Sequence, residues 1–373
     1  MQDLVWKAVR EMWIPSKGHV SILKSQRALL GHFVKVPLHE KQVEVLGSNR
    51  VPYLMNCVDT LPNSNDGGRR ATDGRALRTV VLGHGLGSGL GLFFQNYDGL
   101  LKHFDRIVAF DWVGFGNSSR PEYENGPEFF TEPLRQFLNS IRVDSGEEFT
   151  LVGHSLGGYL SGMFASKYSD MIKRLVLASP VGFAPKPPGG AVTEAELGRG
   201  FQMVMEAWNR GVTPSFLLRL SGPRGPNWVN DVVERRFRKR WPENENQLIA
   251  EYLYQINAHV ASGEDAMQGL LEPVHYGDRV GMFAKTPLSE VLPQMVEGNR
   301  NVPVNILYGD HDWLSESYNP LYRCNDAAAS LNAQHGMTVT IDTLPRAGHH
   351  LYIDNSIGFH EYISQVALEG PHQ

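Results

Sequence analysis

The sequence predicts an α/β protein: a mostly parallel central sheet flanked by helices, with a helical cap inserted after the sixth strand. Three observations predict it. Short continuous apolar runs recur, each followed by glycine-rich punctuation, as in strands buried on both faces of a parallel sheet. Helix-length patterns lie between those runs, which gives the alternation of a doubly wound fold. One run leads into Gly153-His154-Ser155-Leu156-Gly157, a strand–turn–helix that presents a serine at the end of a strand.

Taken in order, residues 1–40 read as an amphipathic N-terminal segment, helical with a break at Pro15. Leu4, Trp6, Val9 and Trp13 supply its apolar side and Lys7, Arg10 and Lys17 its charge. Residues 41–183 form the first part of the core. It opens with two short strands, around Val43–Val45 and Pro52–Val58, joined at Gly47-Ser48-Asn49 as a hairpin. Pro62 to Arg75 has no periodicity and reads as a surface loop. The apolar runs then follow at Thr79–Leu82, Ile107–Phe110, Thr150–Val152 and Leu175–Ala178, with a helix over Tyr159–Tyr168. Residues 184–300 are dominated by helical patterns broken at Pro185–Gly190 and Ser221–Pro226, and are read as the cap. The run Val304–Tyr308 opens the second part of the core, residues 301–373.

Composition bounds the function. A net charge of -5 gives no basic surface for nucleic acid, so none is expected as a partner. Two cysteines, Cys57 and Cys324, make no disulfide framework and fit a reducing compartment. No apolar stretch of about 18 residues predicts a membrane-spanning helix. The N-terminus lacks the pattern of a secretory signal and only weakly suggests a mitochondrial transit peptide. The histidines lack ligand spacing such as H-E-x-x-H, so no metal is expected. His84-Gly85-Leu86-Gly87-Ser88-Gly89 lacks the ribose-binding acid of a dinucleotide site, and no cofactor is needed.

Four segments carry the chemistry. Ser155 is the candidate nucleophile, on a turn so sharp that Gly153 and Gly157 must flank it. His84–Gly89 can aim a backbone N–H at a developing oxyanion, and Leu86 with Leu156 is the expected pair. In Tyr308-Gly-Asp-His-Asp312, Asp310 and Asp312 compete for the acid that orients a histidine. Asp312 lies at the spacing usual for this fold's acid, while Asp310 can cap the turn. In Gly348-His349-His350, His349 follows the glycine and is the expected base, with His350 its rival. The order serine, acid, histidine is that of a known triad arrangement.

Together with Asp111-Trp-Val-Gly-Phe-Gly-Asn117, these runs resemble the α/β-hydrolase superfamily. Trp13-Ile-Pro-Ser, Ser179-Pro-Val-Gly-Phe183 and His349-x-x-x-x-Asp354 narrow the resemblance to a lipid-metabolising branch. That branch includes N-acyl phospholipid lipases, cardiolipin-specific deacylases, lysophosphatidate acyltransferases and a coactivator of triacylglycerol lipase. The coactivator lacks the serine, whereas this chain has Ser155. The resemblance implies Ser155, Asp312 and His349 as the triad, and His349 with Asp354 as a motif linked to acyl transfer. Asp354 can equally be a surface or cap residue of the last helix.

The expectation is therefore a serine hydrolase that deacylates glycerophospholipids or lysophospholipids through an acyl-serine, with acyl transfer to lysophosphatidate as a variant outcome. A soluble carboxylesterase or thioesterase and a lipase-regulating lipid-binding protein are the competing readings. Apolar cap residues such as Phe201, Met203, Trp208, Phe216 and Leu218 suit acyl chains. The basic run Arg235–Trp241 and the N-terminal tryptophans suit an anionic membrane surface. A peripheral membrane site at mitochondrion, endoplasmic reticulum or lipid droplet, or else the cytoplasm, is the expected location.

Overall fold

The computed structural model describes residues 18–47, 49–62, 74–124, 126–142, 147, 149–189, 191, 199–237, 240–277, 279–298 and 300–368. The stretch with Trp6 and Trp13, and most of the 62–75 loop, lie outside the described residues.

Each apolar run forms a strand. The strands are β1 (His39–Leu46), β2 (Pro52–Asp59), β3 (Thr79–Gly83), β4 (Arg106–Phe110), β5 (Phe149–His154), β6 (Ile172–Ala178), β7 (Leu271–Tyr276), β8 (Arg279–Ala284), β9 (Val304–Gly309) and β10 (Val339–Leu344). Eight of them make one sheet in the order β1-β2-β4-β3-β5-β6-β9-β10. β1 is antiparallel to β2, and β2 to β4; from β4 to β10 every pairing is parallel.

The main helices are α1 (His19–Phe33), α2 (Glu128–Ile141), α3 (Leu156–Tyr168), α4 (Arg199–Asn209), α5 (Pro214–Leu220), α6 (Gly225–Phe237), α7 (Glu243–Asn257), α8 (Cys324–His335) and α9 (Ser356–Leu368). Alternate strand residues feed two apolar clusters, one on each face of the sheet. Val81, Val108 and Leu151 join one cluster, while Val80, Ile107 and Val152 join the other. Burial on both faces is why these strands read as unbroken apolar runs. Cys57 and Cys324 are buried free thiols.

The inserted segment departs from β6 and returns at β9, and those two strands are hydrogen-bonded neighbours. It holds α4 to α7, and in addition the antiparallel hairpin β7–β8, which the sequence reading had absorbed into the helical pattern. Pro273 within β7 and the weak alternation of both strands hid the hairpin; an isolated two-stranded ribbon tolerates a proline that a central strand would not. Buried Phe283 and Ala284 tie it to the core cluster that also contains Val181 and Phe183.

Helix α1 lies against the domain. Ile22, Leu29 and Leu30 enter the core cluster shared with Tyr252 and Ile256 of α7. Among the described residues no helix is long and apolar enough to cross a membrane.

Candidate active site

β5 runs into Ser155, which caps α3 with φ 53° and ψ -119°. This is backbone that an L-residue rarely adopts, at a cost of about 1–3 kcal/mol. Its neighbours hold it there: the Ser155 amide donates to the Ala178 carbonyl (3.0 Å), and the Ser155 carbonyl accepts from Tyr159 (3.1 Å). The flanking glycines are steric requirements. A Cβ at Gly153 would collide with the Gly157 carbonyl, and one at Gly157 with the His84 carbonyl.

The turn after β9 and the loop after β10 bring two side chains to the serine. His349 Nε2 lies 3.0 Å from Ser155 Oγ, and His349 Nδ1 lies 3.0 Å from Asp312 Oδ1. Asp312 is fully buried, and its Oδ1 also accepts from the Leu314 amide at 3.0 Å. Half-exposed Trp313 places its ring 5.3 Å from the His349 ring, at the solvent side of the site.

Each rival has a different place. Asp310 accepts from the amides of Arg346 (2.8 Å) and Ala347 (2.9 Å) and from His311 Nδ1 (2.7 Å). It therefore pins the loop that precedes His349. The His311 hydrogen bond, with the two amides, holds its carboxyl down at about 2. The ring of His350 packs 5.3 Å from that of His154. Burial first, then repulsion from His349, pushes His350 down to about 3.

Two supports of the histidine loop were not foreseen. Buried His154 Nε2 donates to the His349 carbonyl at 2.8 Å, and its Nδ1 has no hydrogen-bond partner among the described residues. A carbonyl only accepts, so His154 carries its proton on Nε2. Burial, then the charges of His349 and His350, keep it neutral far below the ordinary histidine range. On the other side Asp354 Oδ2 accepts the Gly348 amide at 2.9 Å. The only sequence signal for His154 was its place between Gly153 and Ser155.

The His84–Gly89 loop lies directly on the serine turn: a Cβ at Gly85 would sit 2.9 Å from Ser155 Cβ. Buried His84 donates from Nδ1 to the Gly85 carbonyl (2.8 Å), while its own carbonyl accepts from Trp112 Nε1 (2.9 Å). Asp111 gathers Leu90 N, Asn117 N and Asn56 Nδ2 at 2.8–2.9 Å. The Asp111–Asn117 run is thus the scaffold that sets this loop. Leu86 follows Gly85, and Leu156 opens α3, where an amide has no helical carbonyl to pair with. From α7 of the inserted segment, Asn257 Nδ2 donates to the Gly87 carbonyl at 2.8 Å.

Beside Gly87 an apolar groove of about 230 Å³ runs between α5, α6 and α7, lined by Leu218, Trp228, Val229, Val232 and Leu253. Trp228 and Val232, with Leu217 and Leu220 nearby on α5, are exposed. A larger cleft of about 720 Å³ lies between β10 and α9 and shares none of the Ser155, His349 or Asp312 side chains. The basic run is less open than its charge suggested. Arg236 reaches Asp354 at 2.6 Å, Arg240 reaches the carbonyls of Ile353 and Asp354, and Trp241 packs on Phe33, Phe94 and Phe237. Residues 238 and 239 of the run lie outside the described residues.

Comparison with known proteins agrees with this architecture. The chain is 27% identical over 369 residues to a 1-acylglycerol-3-phosphate O-acyltransferase of Arabidopsis thaliana, covering 94% of this chain and 81% of that one. It is 29% identical to the human (lyso)-N-acylphosphatidylethanolamine lipase, over 77% of this chain and 78% of that one. It is 30% identical to the human 1-acylglycerol-3-phosphate O-acyltransferase ABHD5, over 77% of this chain and 76% of that one. Among solved structures, naproxen esterase of Bacillus subtilis superposes with TM-score 0.55 at 15% identity, covering 93% and 96% of the two chains. Residues 78–356 match the family of the alpha/beta hydrolase fold, and the chain belongs to that family.

Proposed function

We propose that the protein is a serine hydrolase that deacylates glycerophospholipids through an acyl-Ser155 intermediate. The observation that carries the reading is the continuous hydrogen-bonded line Ser155–His349–Asp312, mounted on a strained turn at the end of a parallel strand. In this reading Ser155 Oγ attacks the acyl carbonyl carbon and its proton passes to His349 Nε2. The Asp312 carboxylate stabilises the imidazolium from the Nδ1 side. The oxyanion is met by the amides of Leu86 and Leu156. Collapse breaks the ester bond, and the departing alkoxide of the lysolipid takes the proton from His349. Water, deprotonated by the same imidazole, then releases the fatty acid and regenerates Ser155.

A lipid substrate is supported by the apolar groove beside Gly87 and by the likeness to a 1-acylglycerol-3-phosphate O-acyltransferase and a (lyso)-N-acylphosphatidylethanolamine lipase. The exposed Leu217, Leu220, Trp228 and Val232 favour contact with a membrane surface through the cap. The likeness to an acyltransferase over 94% of this chain favours one second reading: a lysophospholipid hydroxyl replaces water in the second half of the reaction. Both outcomes use the same acyl-serine.

The test incubates wild-type and Ser155→Ala protein with liposomes of phosphatidylcholine, cardiolipin or N-acyl phosphatidylethanolamine, reading products by mass spectrometry. Fatty acid and lysolipid from wild type alone are expected. Turnover confined to short soluble esters would remove the lipid claim. Phosphatidate formed from lysophosphatidate and acyl-CoA, without free fatty acid, would favour transfer.

A further inference from the structure

Asp354 lies in the short turn Leu351–Asp354, and its hydrogen bonds run in two directions. Oδ2 accepts the amide of Gly348, the peptide immediately before His349, at 2.9 Å. Both carboxylate oxygens lie 2.6 Å from Arg236 Nη2, at the end of cap helix α6. The Asp354 side chain is 10% exposed and that of Arg236 39%, so the carboxylate is sheltered while its cation is partly solvated. Arg240 adds hydrogen bonds to the carbonyls of Asp354 and Ile353. The arginines are themselves braced: Arg236 lies 5.0 Å over Phe237 and Arg240 4.9 Å over Trp241, in the aromatic cluster with Phe33 and Phe94.

We propose that Asp354 is a positioning residue that joins the cap to the histidine loop: Arg236 fixes the carboxylate, and the carboxylate fixes the Gly348–His349 peptide. Docking of α6 and correct placement of the His349 ring are then one event. The inference rests on the serine-hydrolase reading for its catalytic consequence, but the latch itself is a property of the fold.

Asp310 shows what is particular about Asp354. Asp310 pins the same loop from the core, through the Arg346 and Ala347 amides, and no part of its grip comes from the cap. Asp354 is the support whose second partner can leave when α6 moves. Deleting Arg236 leaves the carboxylate with only the longer 3.9 Å contact to Arg240 Nη1, and freer to turn from the Gly348 amide toward water. The histidine loop then loses one support, while the Ser155 and Asp312 side chains keep their own partners. The five-residue spacing of His349 and Asp354 thereby has a mechanical reading, in which Asp354 acts through His349 and not on the transferred acyl group.

The test compares wild type with Arg236→Ala, Arg236→Lys and Asp354→Asn, each first shown folded by its thermal midpoint. Two readouts are taken: amide hydrogen exchange in the peptide spanning 345–353, and the rate at which a fluorophosphonate labels Ser155, with kcat and KM on a short soluble ester. Arg236→Ala should accelerate exchange in that peptide selectively. It should slow labelling and lower kcat on the order of ten- to a hundredfold with KM nearly unchanged. Arg236→Lys should recover part of both. Unchanged exchange and labelling in folded Arg236→Ala would overturn the proposal. So would loss of acyl transfer alone in Asp354→Asn, with labelling intact. Wild type that reacts with neither probe nor ester defeats the hydrolase reading instead, and the exchange comparison still decides the latch.

Discussion

The buried imidazole of His154 donates from Nε2 to the backbone carbonyl of His349 at 2.8 Å, so the residue before the serine holds the loop that faces the serine. Replacing it with alanine removes this bond and opens space beside Gly85. His154→Ala is expected to lose about 1–3 kcal/mol in denaturant melts. It should also slow Ser155 labelling by about tenfold or more through misplacement of His349. A normal labelling rate in a destabilised variant would reduce His154 to a packing residue.

The two aspartates after β9 separate by chemistry. Asp312→Asn keeps the shape but not the charge facing His349 Nδ1, and kcat should fall by about 10³–10⁴. Asp310→Asn keeps one acceptor for the Arg346 and Ala347 amides, and should cost about tenfold or less in kcat. Steady-state kinetics of the two variants side by side decides between them; the reverse order would make Asp310 the acid.

Acid should unfold this protein through its histidines. His84, His154, His259, His350 and His360 are all held below the ordinary value of 6.5, principally by burial; His259 and His350 fall to about 3 and His360 to about 4. The unfolded chain therefore binds more protons below pH 6.5. The stability these neutral rings contribute is complete above that pH and is lost as pH falls toward about 4 and 3. A fully buried ring can add up to about 1.4 kcal/mol per pH unit. His350 and His259 retain some exposure, and their shares are smaller. Urea midpoints at pH 8, 6 and 5 should fall in that order, and a flat series would contradict the account. Asp310, held at about 2, adds a smaller loss of the same sign below pH 4.

Glycine 157 admits no side chain. Gly157→Ala drives a methyl into the His84 carbonyl, backbone that cannot step aside, and should give a loss of about 2 kcal/mol or more, or insoluble protein. Soluble expression with an unchanged thermal midpoint would show that the loop yields.

Trp228 and Val232 test the substrate class. Val232→Asp places a charge in the apolar groove beside Gly87. Liposome turnover should fall about tenfold or more while a short soluble ester is hydrolysed as before. Equal losses on both substrates would place the groove outside acyl binding.

Much of the fold was legible because strands covered on both faces leave continuous apolar runs, and a serine turn between a strand and a helix leaves glycines at fixed places. Proximity of Ser155, Asp312 and His349 followed from chain order on that frame. What the sequence hid were contacts between distant segments. Arg236 meets Asp354 across the cap boundary, and no local periodicity marks that pair. The Arg235–Trp241 run was read from its charge as a surface, and its described arginines are exposed, but two of them are also tied to the Leu351–Asp354 turn. Hairpin β7–β8 was lost among helical patterns because its strands are half-exposed and carry Pro273.

The cap leaves the sheet at β6 and re-enters at its immediate neighbour β9, so its length and shape place no demand on strand pairing. If the groove in this segment binds the acyl chain, as proposed, substrate preference is open to exchange of this one segment, in evolution or at the bench. A transplant carries two obligations: an amide donor where Asn257 meets the Gly87 carbonyl, and a cation where Arg236 meets Asp354. A chimaera that honours both should inherit its donor's appetite and keep its host's chemistry.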